Sequence, residues 1–285
     1  SGIAGTAVSQ AGVEVRLKDA DLVRVGKGLK ASVGILDGRL KRRRITRQEY
    51  ERLSALLSGT ADFSGFPRAD LVIEAVFEDL SVKRSVVADL EATVGERAII
   101  ATNTSTIPIT DIAAGAHHPD RVLGMHFFSP VDRMPLLEVI PGAATSPDAI
   151  ATAVQFGRRM GKTVIVVADR PGFWVNRILS PYLNEAGHLL TEGTPIEAID
   201  RTMTRFGFPV GPIALLDEVG LDVAAKGGGV MHQAFGERLA PADAIGRMLA
   251  DKRLGRKSGR GFYRYQDGKK AGGDAEGYRL LSISP

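Results

Sequence analysis

The strongest constraint on the fold is a set of short apolar runs that are continuous rather than alternating: DLVIEAVFEDL (70–80), AIIATNTSTIP (98–108), VLGMHFF (122–128) and TVIVVAD (163–169). Runs of this length, apolar on both faces and stopped by polar or turn residues, are the pattern of strands in a parallel sheet covered on each side. Helical spacing lies between them, over Ser81–Val94 and near 147–161. Upstream, SGIAGTAVSQAG has the small-residue texture of a helix packed on a sheet, VEVRLKD (13–19) is a predicted strand, and a helix follows over Asp21–Gly38. This alternation predicts an α/β fold, a doubly wound sheet over residues 1–170.

At Arg170-Pro171-Gly172 the pattern changes. From there to about Leu254 apolar residues recur at helical spacing and no run satisfies a strand, so an all-α domain is expected over 171–267. GRKSGRGFYRY (255–265) closes it with a glycine-rich turn and an aromatic stretch, and 268–285, opening on GKKAGGDAEG, is expected to be linker or tail.

A chain of 285 residues can bury a sizeable core. No apolar run is long enough to span a bilayer, so no membrane span is expected. The net charge of +4 is modest, and the compact positive block Lys41–Arg44 reads first as a solvated face and second as a contact for a phosphate partner. Without a basic stripe interleaved with aromatics, no nucleic-acid partner is expected. The absence of cysteine excludes disulfides and thiolate chemistry, and the five histidines show no metal-ligand spacing, so no metal is expected.

The candidate chemistry centres on His126, near the carboxyl end of its run, and on Glu138, which interrupts the apolar run Leu136–Ile140 where an aliphatic residue would be less costly to bury. Neighbouring strands would bring imidazole and carboxylate into hydrogen-bond reach, fixing the tautomer and favouring the charged ring during proton transfer. A core histidine beside a structural salt bridge is the alternative. Asp19, Glu78, Asn103 and Ser105 also fall at predicted strand ends, where open α/β sheets bind ligands. Asp19 is the kind of acid that holds a ribose hydroxyl pair in a dinucleotide fold, or else a helix cap. Asn176, among Phe173, Trp174, Val175 and Ile178, is either an internal hydrogen-bonding residue or a ligand contact.

HFFSPV with Glu138 twelve residues beyond His126, EAVFED, ATNTSTIPI, PGFWVNRIL, FGFPVGPIALLDEVGLD and GRKSGRGFY together resemble the L-3-hydroxyacyl-CoA dehydrogenase family over nearly the whole chain. The likeness is greatest to the dehydrogenase region of multifunctional fatty-acid oxidation complex α-subunits. It implies a Rossmann-like domain followed by a helical C-terminal domain, NAD as cofactor, and oxidation of L-3-hydroxyacyl-CoA to 3-ketoacyl-CoA in β-oxidation. It further implies His126 as catalytic histidine, Glu138 as its orienting carboxylate, and Ser105 and Asn176 as polar groups on the reacting oxygen or the thioester. Asp19 would hold the adenine ribose and favour NAD over NADP. Glu78, Lys83 and Asn103 would line the nicotinamide side, Ser129 and Lys257 would be further cofactor contacts, and Ser32 and Arg39 would touch coenzyme A. A homodimer, or a complex with a thiolase subunit, and a cytoplasmic location follow from the same likeness. A non-catalytic assembly segment and a dehydrogenase of a small hydroxy acid are the rival readings. The family opens with a strand and a GxGxxG loop that do not occur here. The chain is therefore expected to be a fragment of a longer protein, to carry two unpaired strand edges, and to bind NAD poorly by itself.

Overall fold

The apolar runs do form strands. The structure, a computed structural model that describes residues 1–283, divides into two compact units, Ser1–Phe173 and a second from Trp174 onward. In the first unit the order is α1 (Gly2–Thr6), β1 (Val15–Lys18), α2 (Leu22–Lys41), α3 (Arg47–Ala55), β2 (Leu57–Thr60), β3 (Leu71–Glu74), α4 (Leu80–Glu91), β4 (Ile99–Thr102), α5 (Ile109–Ala113), β5 (Val122–Phe127), β6 (Leu136–Pro141), α6 (Pro147–Arg159) and β7 (Thr163–Val166). Helix starts follow local chemistry. Asp21 caps α2 by accepting from the Arg24 amide at 2.8 Å, and Asp79 caps α4 through Val82 at 3.0 Å, which satisfies amides that have no partner within the helix.

The sheet runs β3-β4-β5-β6-β7, parallel except for the antiparallel pair β5 and β6. β1 and β2 pair separately, in parallel. Among the described residues β1 pairs only with β2 and β3 only with β4, so each keeps an open edge, and Val15, Leu71 and Ile73 border one apolar cluster with Ala101, Leu123, Met125 and Val139. Leu123, Met125, Leu137 and Val139 have no exposed surface, and truncating one of them to alanine is worth about 2–5 kcal/mol. β2 was not visible to periodicity, because LSGT is too short and too small to carry an apolar pattern.

The second unit contains α7 (Val175–Thr191), α8 (Ile196–Phe206), α9 (Pro212–Val219), α10 (Leu221–Phe235), α11 (Asp243–Ala250), β8 (Tyr263–Gln266), β9 (Lys269–Gly273) and α12 (Ala275–Leu281). It is helical as expected, with one correction. The segment read as linker from 268 onward forms β9, which pairs antiparallel with β8, and α12, whose Tyr278 and Leu281 are buried in the unit's core. Glycine-rich, polar composition concealed this hairpin because it is held by contacts distant in sequence. Arg253, with no exposed side-chain surface, pairs with Asp251 and Asp274 and reaches Glu276, while Arg264 meets Asp274 at 2.8 Å.

Candidate functional site

Three parallel strand ends carry most of the expected residues. β3 and β4 are in register from Leu71 opposite Ile99 to Glu74 opposite Thr102, and Thr102 in turn lies opposite Gly124 of β5. The polar residues that follow each strand therefore emerge along one edge. Glu78 sits in the short connection between β3 and the Asp79 cap of α4. Asn103 follows β4 directly, and its Oδ1 accepts from the Phe127 amide at 2.9 Å, tying the end of β4 to the residue beside His126.

His126 and Glu138 are direct cross-strand partners of β5 and β6, so their side chains leave the same face of the sheet. His126 Nδ1 and Glu138 Oε2 lie 2.7 Å apart, with Glu138 fully buried and His126 only 6% exposed. A carboxylate can only accept, so Nδ1 carries the proton and, in the neutral ring, Nε2 keeps its lone pair. The ring also stands against Phe128, with centroids 4.4 Å apart, and Phe173, at 6.0 Å. Low-dielectric surroundings strengthen the bond to Glu138.

Glu78 gathers the turn after β4. Its Oε1 accepts from Thr104 Oγ1 at 2.7 Å and from the amides of Ser105 and Thr106 at 2.8 and 3.1 Å, with the Ser105 hydroxyl at 3.2 Å. Burial by itself would raise this carboxyl. The Thr104 hydroxyl, the Ser105 amide, Lys83 and the Thr106 amide outweigh it and hold Glu78 below its ordinary value, so it is an anion at neutral pH.

Several expected ligand contacts are placed differently. Lys83 has no exposed surface; its Nζ lies 3.0 Å from Glu74 Oε1 and 3.5 Å from Glu78 Oε2. It is held between the two acids at the strand ends, because a buried ammonium is stable only when paired. Ser32 likewise faces inward, donating to the Gly28 and Ser1 carbonyls at 2.8 and 3.0 Å with no exposed surface. Arg39 lies in the last turn of α2, half-buried, and Lys41–Arg44 beyond it are exposed. Asp19 is half-buried just past β1, its Oδ1 accepting from the Ala20 amide at 2.7 Å. Ser129 is exposed and precedes Pro130 through a cis peptide bond. In the second unit, Asn176 occupies the first turn of α7, and Lys257 lies on a short turn with its Nζ 2.5 and 2.7 Å from the two Asp222 oxygens.

Sequence reasoning missed two buried residues of the first unit. Glu74 bonds Lys83, Thr102 Oγ1 and the Val76 amide. The signal was present, since Glu74 interrupts an apolar run just as Glu138 does. Lys162, 9% exposed, donates to the carbonyls of Val131 and Met134 and so clamps the connection between β5 and β6 from beneath; burial lowers its ammonium below the usual lysine value. No pattern in the sequence pointed to it.

The NAD-binding domain of 3-hydroxyacyl-CoA dehydrogenase matches residues 1–170, and the C-terminal domain of 3-hydroxyacyl-CoA dehydrogenase matches 172–265. The chain belongs to the 3-hydroxyacyl-CoA dehydrogenase family. Its two matched domains are those of an NAD-dependent dehydrogenase. It is 50% identical over a 287-residue alignment to the fatty acid oxidation complex subunit alpha of Idiomarina loihiensis, which covers the whole chain and 40% of that relative. The chain thus spans well under half the length of the curated relative it matches. Among solved structures it resembles (S)-3-hydroxybutyryl-CoA dehydrogenase from Ralstonia eutropha, with a TM-score of 0.88, 38% identity, and 93% of this chain and 95% of that one covered. The 3-hydroxybutyryl-CoA dehydrogenase of Escherichia coli gives a TM-score of 0.88 at 35% identity, covering 93% of this chain and 57% of that one. No helix among the described residues is long and apolar enough to cross a membrane, and no cluster of metal-ligating side chains occurs among them.

Proposed function

We propose that this 3-hydroxyacyl-CoA dehydrogenase oxidises the 3-hydroxyl of an L-3-hydroxyacyl-CoA to the 3-ketoacyl thioester, with His126 as general base. The observation that carries this reading is the 2.7 Å bond between His126 Nδ1 and Glu138. It leaves Nε2 as the basic atom and provides a buried counter-charge for the imidazolium that forms when Nε2 takes the hydroxyl proton. Ser105, held by Glu78, and Asn176 are the polar groups proposed to hydrogen-bond the reacting oxygen or the thioester carbonyl.

The residues present suit a dinucleotide. The anionic Glu78, the Asn103 amide and the Ser105 hydroxyl, which follow β3 and β4, make a polar edge of the kind that binds ribose and carboxamide groups, and Asp19 stands just past β1. Asp19 would hold the adenine ribose, and Glu78, Asn103 and Ser129 would lie on the nicotinamide side, with Lys257 a further contact. Bound NAD would supply the hydride acceptor. Arg39 remains a candidate for the phosphates of coenzyme A. Membership of a fatty-acid oxidation complex is proposed from the relative that carries that name, and a thiolase subunit, a second copy as partner and a cytoplasmic setting are proposed from the family resemblance alone.

The test is NADH formation on adding NAD and 3-hydroxyacyl-CoA to the full-length protein, with the free hydroxy acid as comparison. Turnover of the thioester, lost in His126→Gln, is expected. Equal turnover in that variant would remove the catalytic reading.

A further inference from the structure

We infer that Glu74 is a positioning residue for this reaction, setting the Ser105 turn through Lys83 and Glu78. The inference rests on the proposed role of Ser105. Glu74 closes β3 with 5% of its surface exposed, next to the aliphatic pair Ile73 and Ala101 and opposite Thr102. Packing alone favours an aliphatic residue there, since a buried ion pair is seldom more stable than well-packed apolar side chains. What the acid does is visible in its contacts. Both Glu74 oxygens lie on Lys83 Nζ, at 3.0 and 3.3 Å, and the same ammonium stands 3.5 Å from Glu78 Oε2.

The two oxygens of Glu78 thus have separate tasks. Oε2 faces the ammonium that Glu74 holds in place, and Oε1 gathers Thr104, Ser105 and Thr106. A second route runs along β4. Thr102 Oγ1 donates to Glu74 and accepts from the Thr104 amide at 3.3 Å, so the start of the turn is tied to the same acid. One ammonium between two carboxylates is a balance of pulls. Removing the Glu74 charge leaves Lys83 with Glu78 as its remaining anionic partner in this cluster, which draws that carboxylate down and away from the turn.

The experiment uses the full-length protein and Glu74→Gln, which keeps the shape and removes the charge. Its kcat is expected to fall on the order of tenfold to a hundredfold, as misplacement of a reacting contact does, while KM for NAD and thioester changes by less than about threefold. The double variant Glu74→Gln with Lys83→Met removes both charges and guards against a single variant that fails to fold. A merely structural ion pair predicts wild-type kcat in the double variant, because no unpaired charge is left. Positioning predicts that it stays slow, because Glu78 Oε2 has lost its anchor. Wild-type kcat in either folded variant overturns the inference. Measuring His126→Gln in the same assay separates the two levels: an inactive histidine variant beside a wild-type double variant rejects the role of Glu74 alone, whereas an active histidine variant rejects the reading of the site.

Discussion

Glu138 and Asp217 are both carboxylates with essentially no exposed surface, 0% and 1%, yet the two units of the molecule use them differently. Glu138 meets an imidazole across two strands. Asp217 meets backbone: it accepts from the amides of Phe262 and Tyr263 at 2.9 Å each and from the Tyr265 hydroxyl at 3.2 Å. Asp200 in the same unit accepts from the Ile213 and Ala214 amides and from the Tyr263 hydroxyl at 2.7 Å, capping α9. Burial of an acid is therefore not by itself a sign of chemistry. The deciding feature is whether its partner can itself gain and lose a proton, and amide donors cannot. Burial and the neighbouring acids push the Tyr263 and Tyr265 hydroxyls far above the usual tyrosine value, which keeps them donors throughout.

The comparison breaks if the sheet pair proves structural or the helical acid proves catalytic. The largest effect is expected from His126→Gln, whose amide can still meet Glu138. Steady-state kinetics on the full-length protein should show kcat lower on the order of a thousandfold, as for loss of a general base, with the melting temperature little changed. Asp217→Ala should do the reverse. Unpairing the Phe262 and Tyr263 amides costs about 3 kcal/mol in denaturant unfolding, and kcat per folded molecule stays near wild type. Glu138→Gln sharpens the contrast from the other side, lowering kcat on the order of a hundredfold because the amide no longer stabilises the imidazolium. A wild-type rate in that variant would make the pair a structural bridge.

Gly261→Ala is a smaller test of how tightly Asp217 is enclosed. A Cβ there would stand 2.0 Å from Asp217 Oδ1, so the acid must shift, and unfolding should be easier by about 1–3 kcal/mol with kcat preserved. A last test lies in pH dependence. Burial pushes the Asp217 carboxyl up to about 6 from an unfolded value near 3.8, so the folded unit binds the proton more tightly. Its contribution is then fully present below pH 3.8 and is lost as pH rises through about 6, worth about 3 kcal/mol in melts of wild type against Asp217→Asn. Glu78 has the opposite sign. Its folded value is depressed, so its contribution is present above its unfolded value of 4.5 and lost as pH falls through the folded one. Melts of Glu78→Gln should therefore lose the acid-side dependence.

Much of this was legible along the chain. The strands at 99–102 and 122–127 were visible because they are buried on both faces, the strand at 71–74 because its apolar run is continuous though only partly buried, and the helices because their apolar spacing is local. His126 and Glu138 were visible because each is a polar residue in a run that burial would make aliphatic. The same logic applied to Glu74 and was not extended to it. β2, the β8–β9 hairpin and the clamp by Lys162 left no such trace, since Gly, Lys and Ser read as loop wherever the partners that hold them lie far away in sequence.

By itself the amino-acid order determined the alternation of elements, the change of character near Pro171 and the pair of residues on which chemistry centres, because periodicity and misplaced polarity are properties of neighbours along the chain. Only the folded arrangement decided that Lys83 and Ser32 face inward, that Glu78 gathers a turn of hydroxyl groups, and that Asp217 is enclosed by amides. Each of those depends on which groups meet after strands and helices have packed. A side chain's charge is written in the sequence, and its partner is set by three-dimensional distance.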